Sequence, residues 1–238
     1  MNNPRHQMNL TPAAFLRASL AIASVLVLLH MIGLFLRHGL GINNAAGLFP
    51  LFDLNSEQNA PTLYSSILLL GGGALCFGAG RIVTGWRWHW WFMALIFLVL
   101  GIDETYGLHE RVFFVLRGHE TPGTAQLAAR LHGLRWSNLL PWLLAIGMIV
   151  VVWFWSFVRH VGPRVSITAA VSAFVYLLGA VGFDALTHVE SVDGLAPSLI
   201  VALTMFEEVF ELVGACLFNY SILRYLVEKS HLTIDLVP

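Results

Sequence analysis

The sequence predicts an all-α integral membrane protein, a bundle of about six transmembrane helices with both termini in the cytoplasm. Composition is the first observation: of 238 residues, 57% are hydrophobic and 11% charged, with a mean hydropathy of +0.73. Soluble domains carry about 25% charged residues. The second is that runs able to cross a bilayer, about 20 residues each, recur six times. The third is that the two short inner connections are cleanly basic, with eight Lys/Arg on the cytoplasmic side against five outside, Arg37, Arg111, Arg117, Arg130 and Arg135.

The spans read in order as Ala14–Leu36, Leu63–Gly80, Trp86–Thr105, Leu139–Val158, Val165–Thr187 and Ser198–Arg224. Arg5 and Arg17 precede the first, and no small-residue cleavage site follows it, so it reads as an uncleaved span. The second carries Gly71-Gly72-Gly73, Gly78 and Gly80; small residues let neighbouring helices approach closely. Trp86, Trp88, Trp90 and Trp91 surround Arg87 at the start of the third, in the pattern of an interfacial aromatic belt. A polar loop at 118–138 follows, broken by Pro122 and Gly123, within which Ala125–Leu134 fits a short helix lying on the bilayer. With the N-terminus in the cytoplasm, Arg81, Arg87, Arg159, Arg164, Arg224 and Lys229 also lie inside, as the positive-inside rule prefers. Residues 1–238 read as a single transmembrane domain, with 118–138 outside the cell.

Acid stands where this frame does not want it. Glu207, Glu208 and Glu211 lie inside the last span, and Asp103-Glu104, His109-Glu110 and Asp184…His188 lie at the ends of two others. A charged group in hydrocarbon costs at least ~2.5–3.5 kcal/mol, so such residues usually face a partner, a cavity or an ion. At a rise of about 1.5 Å per residue, Asp103 and Glu104 stand ~24–25 Å above Arg87, Glu207 and Glu211 ~20–25 Å above Arg224, and His30 ~20 Å above Arg17. Asp184 stands ~25–30 Å above the start of its span. All fall in the outer third of a core about 30 Å thick, which predicts one polar layer toward the extracytoplasmic face.

Phase refines this. Asp184 and His188 are four apart, as are Glu207 and Glu211, so each pair shares a helix face. Asp103 and Glu110, seven apart, eclipse if the helix stays regular.

Several carboxylates with histidines in a low-dielectric layer suit a metal centre, each cation offsetting charges that repel one another. An iron or manganese pair fits better than zinc, which usually takes four ligands and leans on His or Cys. The predicted ligands are Asp103, His109, Glu110, Asp184, His188, Glu207, Glu211 and His30, with Glu208 and Glu104 as acid–base groups. The bland alternatives are helix-gluing carboxyls, solvated helix ends for His109 and Glu110, and a hydrogen-bonded core residue for His30.

The inventory resembles that of di-iron carboxylate helical proteins, which use about four carboxylates and two histidines from four helices. It departs from them in that none of these candidate residues forms a Glu-x-x-His pair; Asp184-x-x-x-His188 has another first residue and spacing. The run Asp103-Glu104-x4-His109-Glu110 with the later Glu207-Glu208-x-x-Glu211 also resembles a pattern in uncharacterised bacterial multi-pass membrane proteins. That resemblance covers the third to sixth spans and implies a bacterial cytoplasmic (inner) membrane location but no activity.

Three function classes follow. The first is a metal-dependent membrane enzyme, oxidoreductase or hydrolase, acting on a lipid-like or membrane-soluble substrate. The second is a proton- or cation-coupled transporter or channel. The third is a non-catalytic sensor or assembly subunit. Membrane lipids are the expected partners. A net charge of −1 without any Lys/Arg run argues against nucleic acid. No nucleotide motif occurs, no axial pair suits haem, and Cys76 and Cys216 read as buried apolar residues.

Overall fold

A computed structural model describes residues 11–42, 47–56, 58–108, 136–183, 186 and 197–230. Among them the chain is all-helical. α1 (Pro12–Gly39) and the short α2 (Leu48–Phe52) precede α3 (Ala60–Ile82). A 3-10 turn, Thr84–Trp86, leads into α4 (Arg87–Tyr106). Then come α5 (Trp136–Val161), α6 (Pro163–Leu177), a π-helical segment (Leu178–Phe183) and α7 (Pro197–Ser230).

Local chemistry sets the helix ends. Thr11 caps α1 by accepting the Ala14 N–H at 3.1 Å, with Pro12 in the first turn and Arg37 and His38 in the last, where they complement the helix dipole. Asn59 caps α3 in the same way through Thr62 N–H. α4 stops at Gly107, which takes φ +54° and donates its N–H to the Asp103 carbonyl at 2.7 Å. The regular helix that would eclipse Asp103 and Glu110 therefore ends between them.

Four helical stretches are long and apolar enough to cross a membrane: Pro12–Gly39, Ala60–Ile82, Leu144–Val161 and Pro163–Phe183. α4 and α7 are also of spanning length, at about 30 and 51 Å. Their polar residues, the Arg87-Trp88-His89 start and Asp103-Glu104 end of α4 and the glutamates of α7, keep them out of that apolar group.

The core forms where α3, α4, α6 and α7 meet, around Leu69, Cys76, Leu212, Cys216 and Tyr225. Both cysteines are free and buried, as expected. The glycines of α3 serve packing: a Cβ on Gly72 would meet the Phe97 ring at 3.2 Å, and one on Gly73 the Ala94 carbonyl at 3.3 Å. The tryptophans near Arg87 divide. Trp88 is 68% exposed, as a belt residue should be, whereas Trp90 is 2% exposed and packs on Phe157 and Tyr225. His89, assigned no role from sequence, stacks on Trp153 and Phe157 and ties α4 to the largely exposed α5. Helical rotation turns His89 and Trp90 inward from the same short run.

A close backbone-to-backbone seam joins α6 and the π segment after it to α7. A Cβ on Gly214 would lie 2.7 Å from the Tyr176 backbone nitrogen, and one on Gly179 would lie 2.7 Å from the Glu207 carbonyl. Gly214→Ala should therefore lower the melting temperature of the detergent-purified protein, by about 1–3 kcal/mol of overpacking. Gly78→Ala, whose Cβ meets nothing within 4 Å, should leave it unchanged or slightly raised. Equal melting of the two variants would refute this seam.

Candidate carboxylate layer

Asp103 and Glu104 occupy the last turn of α4, with Thr105 beside them. The Thr105 hydroxyl donates to the Gly101 carbonyl at 3.3 Å, so the Ser66 hydroxyl, 2.9 Å away on α3, is the donor of their mutual bond. This pins the acidic turn to α3. Glu207, Glu208 and Glu211 lie on successive turns of α7, with Gly179 of the π segment against Glu207 and Glu211. Phe183 of the same segment stacks on Phe206 and meets Phe210 at a tilt. π turns occur often at functional sites.

Tyr176 joins the two acidic groups. It belongs to α6, is 8% exposed, and lies within electrostatic range of Glu211, Glu104, Asp103 and Glu208. All the carboxylates are half-buried, and each has an interaction partner. Two helices thus contribute acid within electrostatic range of one phenol. Tyr176 itself escaped the depth count, because a tyrosine in an apolar run is not costly enough to attract notice. The small residues Gly179 and Gly214 were the available signal.

His30 has a different setting. It is 1% exposed on α1, and its Nδ1 accepts the Leu54 N–H at 3.1 Å with Asp53 Oδ1 at 3.4 Å. An Nδ1 that accepts leaves the ring proton on Nε2. Asp53 also accepts the Asn55 N–H at 3.0 Å. The imidazole therefore clasps the segment after α2 onto α1, the hydrogen-bonded role weighed against ligation.

His109, Glu110, Asp184 and His188 lie outside the described residues, as does the 118–138 loop. Among the described residues, no group of three or more His, Cys, Asp or Glu side chains is arranged to hold a metal ion. Within that set, four carboxylates around a phenol form an electrostatic trap for positive charge, since like charges in a low dielectric repel strongly unless protons or cations intervene.

A family model for a domain of unknown function, DUF8692, matches residues 19–226. The chain belongs to this family. The matched stretch runs from within α1 into α7 and contains every residue of the carboxylate layer. No curated protein and no solved structure matches the chain.

The His30 clasp has a direct test. His30→Phe keeps the ring volume but strips Leu54 N–H of its acceptor, which should cost about 1–3 kcal/mol and speed limited proteolysis within residues 47–56. An unchanged melting temperature and cleavage rate would refute it.

Proposed function

We propose that the chain is a metal-dependent integral membrane enzyme of six spans, its termini cytoplasmic and its carboxylate layer near the extracytoplasmic face. Its substrate is lipid-like or membrane-soluble. The observation that carries this reading is Tyr176 held in electrostatic range of Glu211, Glu104, Asp103 and Glu208. Assembling that much negative charge in a half-buried layer is costly, and a divalent cation offsets the cost more fully than helix-gluing hydrogen bonds do.

Asp103, Glu207 and Glu211 are the described residues offered as ligands. His109, Glu110, Asp184 and His188 complete the set, His30 being held in its clasp; an iron or manganese pair suits this donor set best. Glu104 and Glu208 are the proposed acid–base groups, and the Tyr176 hydroxyl is a proton donor or acceptor between them. A bound pair would supply redox chemistry, and a single metal with a water would supply hydrolysis. In either case the chain's own task is to hold the acids at one depth and to move a proton at Glu208 or Glu104.

A second reading, proton or cation transport, has one observation in its favour: acids within electrostatic range of the buried Tyr176 phenol also suit a proton relay.

Elemental analysis of the detergent-purified full chain separates the two. Stoichiometric iron or manganese is expected, lost in both Glu211→Gln and Asp103→Asn but kept in Gly78→Ala. Metal-free wild-type protein, or full metal in Glu211→Gln, overturns the enzyme reading. A pH-driven flux in proteoliposomes that Glu211→Gln abolishes would then establish the second.

A further inference from the structure

A second site, between α1, α3 and α7, emerges from one amide. Asn219 of α7 is 2% exposed. Its Nδ2 donates to two backbone carbonyls, Leu68 on α3 and Ala215 one turn back, each at 2.9 Å. Two carbonyl acceptors fix which end of the amide is nitrogen. They also use both of its protons. The carboxamide oxygen is left as an acceptor without a donor among the described residues.

That oxygen faces space. Asn219 lines a cavity of about 570 Å³ between α1, α3 and α7, within the roughly 300–1,000 Å³ of small-molecule sites. Gly71 of α3 keeps the oxygen open: a Cβ there would lie 3.8 Å from Asn219 Oδ1 and meet nothing else within 4 Å. Phe15, Ile22, Ile67, Leu75 and Leu223 make the walls. At the other end, the Tyr64 hydroxyl donates to the Ser19 carbonyl at 2.7 Å, so its proton is already committed. Ile22 and Ile67 are both more than half or nearly half exposed, giving the cavity a side mouth on the apolar surface between α1 and α3.

The chemistry of the lining selects the ligand. Its body is apolar, because the walls are. The described lining residues include no Lys, Arg, Asp or Glu, so neither a phosphate headgroup nor an ammonium finds a counter-charge among them. Asn219 Oδ1 is an acceptor on that lining whose amide protons are already used, which calls for a neutral donor. We propose that this cavity binds a membrane-soluble alcohol: a long apolar body entering between α1 and α3, its hydroxyl donating to Asn219 Oδ1. The carboxylate layer lies between α4, α6 and α7, so this site stands independently of the metal reading.

The test uses the full chain in lipid nanodiscs, with a long-chain alcohol bearing a diazirine and the methyl ether of the same molecule. After photolysis, peptide mapping should find the alcohol on peptides containing residues 64–75 or 219–223. The ether, unable to donate, should label them about tenfold less, the effect of one buried hydrogen bond. Gly71→Leu and Ala74→Phe each fill the cavity from the open side of α3 and should abolish labelling while the protein still melts cooperatively. Equal labelling by alcohol and ether overturns the proposal, since the cavity then takes bulk lipid chains without selection. So does undiminished labelling of a folded filling variant. The wild-type comparison of alcohol with ether decides the matter even if neither variant folds.

Discussion

α6 and α7 meet backbone to backbone. Gly214 leaves no side chain beneath Tyr176, and Gly179 leaves none beneath the Glu207 carbonyl, so the two helices lie closer than any pair of larger residues would permit. In lipid the hydrophobic effect does not drive helices together, and such close packing supplies the association instead. The same approach that holds the bundle together carries Tyr176 into the space between the acids of α4 and those of α7. Were the seam one methyl wider, the phenol would withdraw and the two acidic groups would lose their common centre. The α3–α4 pair then supplies the other wall, where Gly72 and Gly73 admit Phe97 and the Ser66–Thr105 bond holds the acidic turn.

Much of this was legible in the sequence, for a geometric reason. Helical rise is nearly constant, so depth could be counted from the basic residues at each helix foot, and Asp103 and Glu104 do share the surroundings of Tyr176 with Glu208 and Glu211. What depth cannot give is direction. His89 and Trp90 belong to a run that looks interfacial, yet rotation sends them inward while Trp88 stays out. Phase arguments also fail wherever a helix ends: at Gly107 a left-handed residue interrupts the register linking Asp103 to Glu110.

Partners distant in sequence were the other gap. Nothing near His30 announces that Leu54, 24 residues on, will return its N–H to the imidazole. Nor does anything near Asn219 announce Leu68, 151 residues away. The number of spans was harder to read for a related reason. The acids of α4 and α7 lower the hydropathy of those helices, so length and composition alone do not mark them as spans.

The His30 clasp makes the two nitrogens of one ring mutually dependent. While Nδ1 receives the Leu54 N–H, the proton resides on Nε2, and that nitrogen has no lone pair to offer. Moving the proton to Nδ1 would aim it at Asp53 Oδ1, 3.4 Å off, in the carboxylate–histidine arrangement that orients metal-bound imidazoles. It would also set two protons against each other at Leu54. The imidazole fastens the segment after α2 only while that proton stays on Nε2.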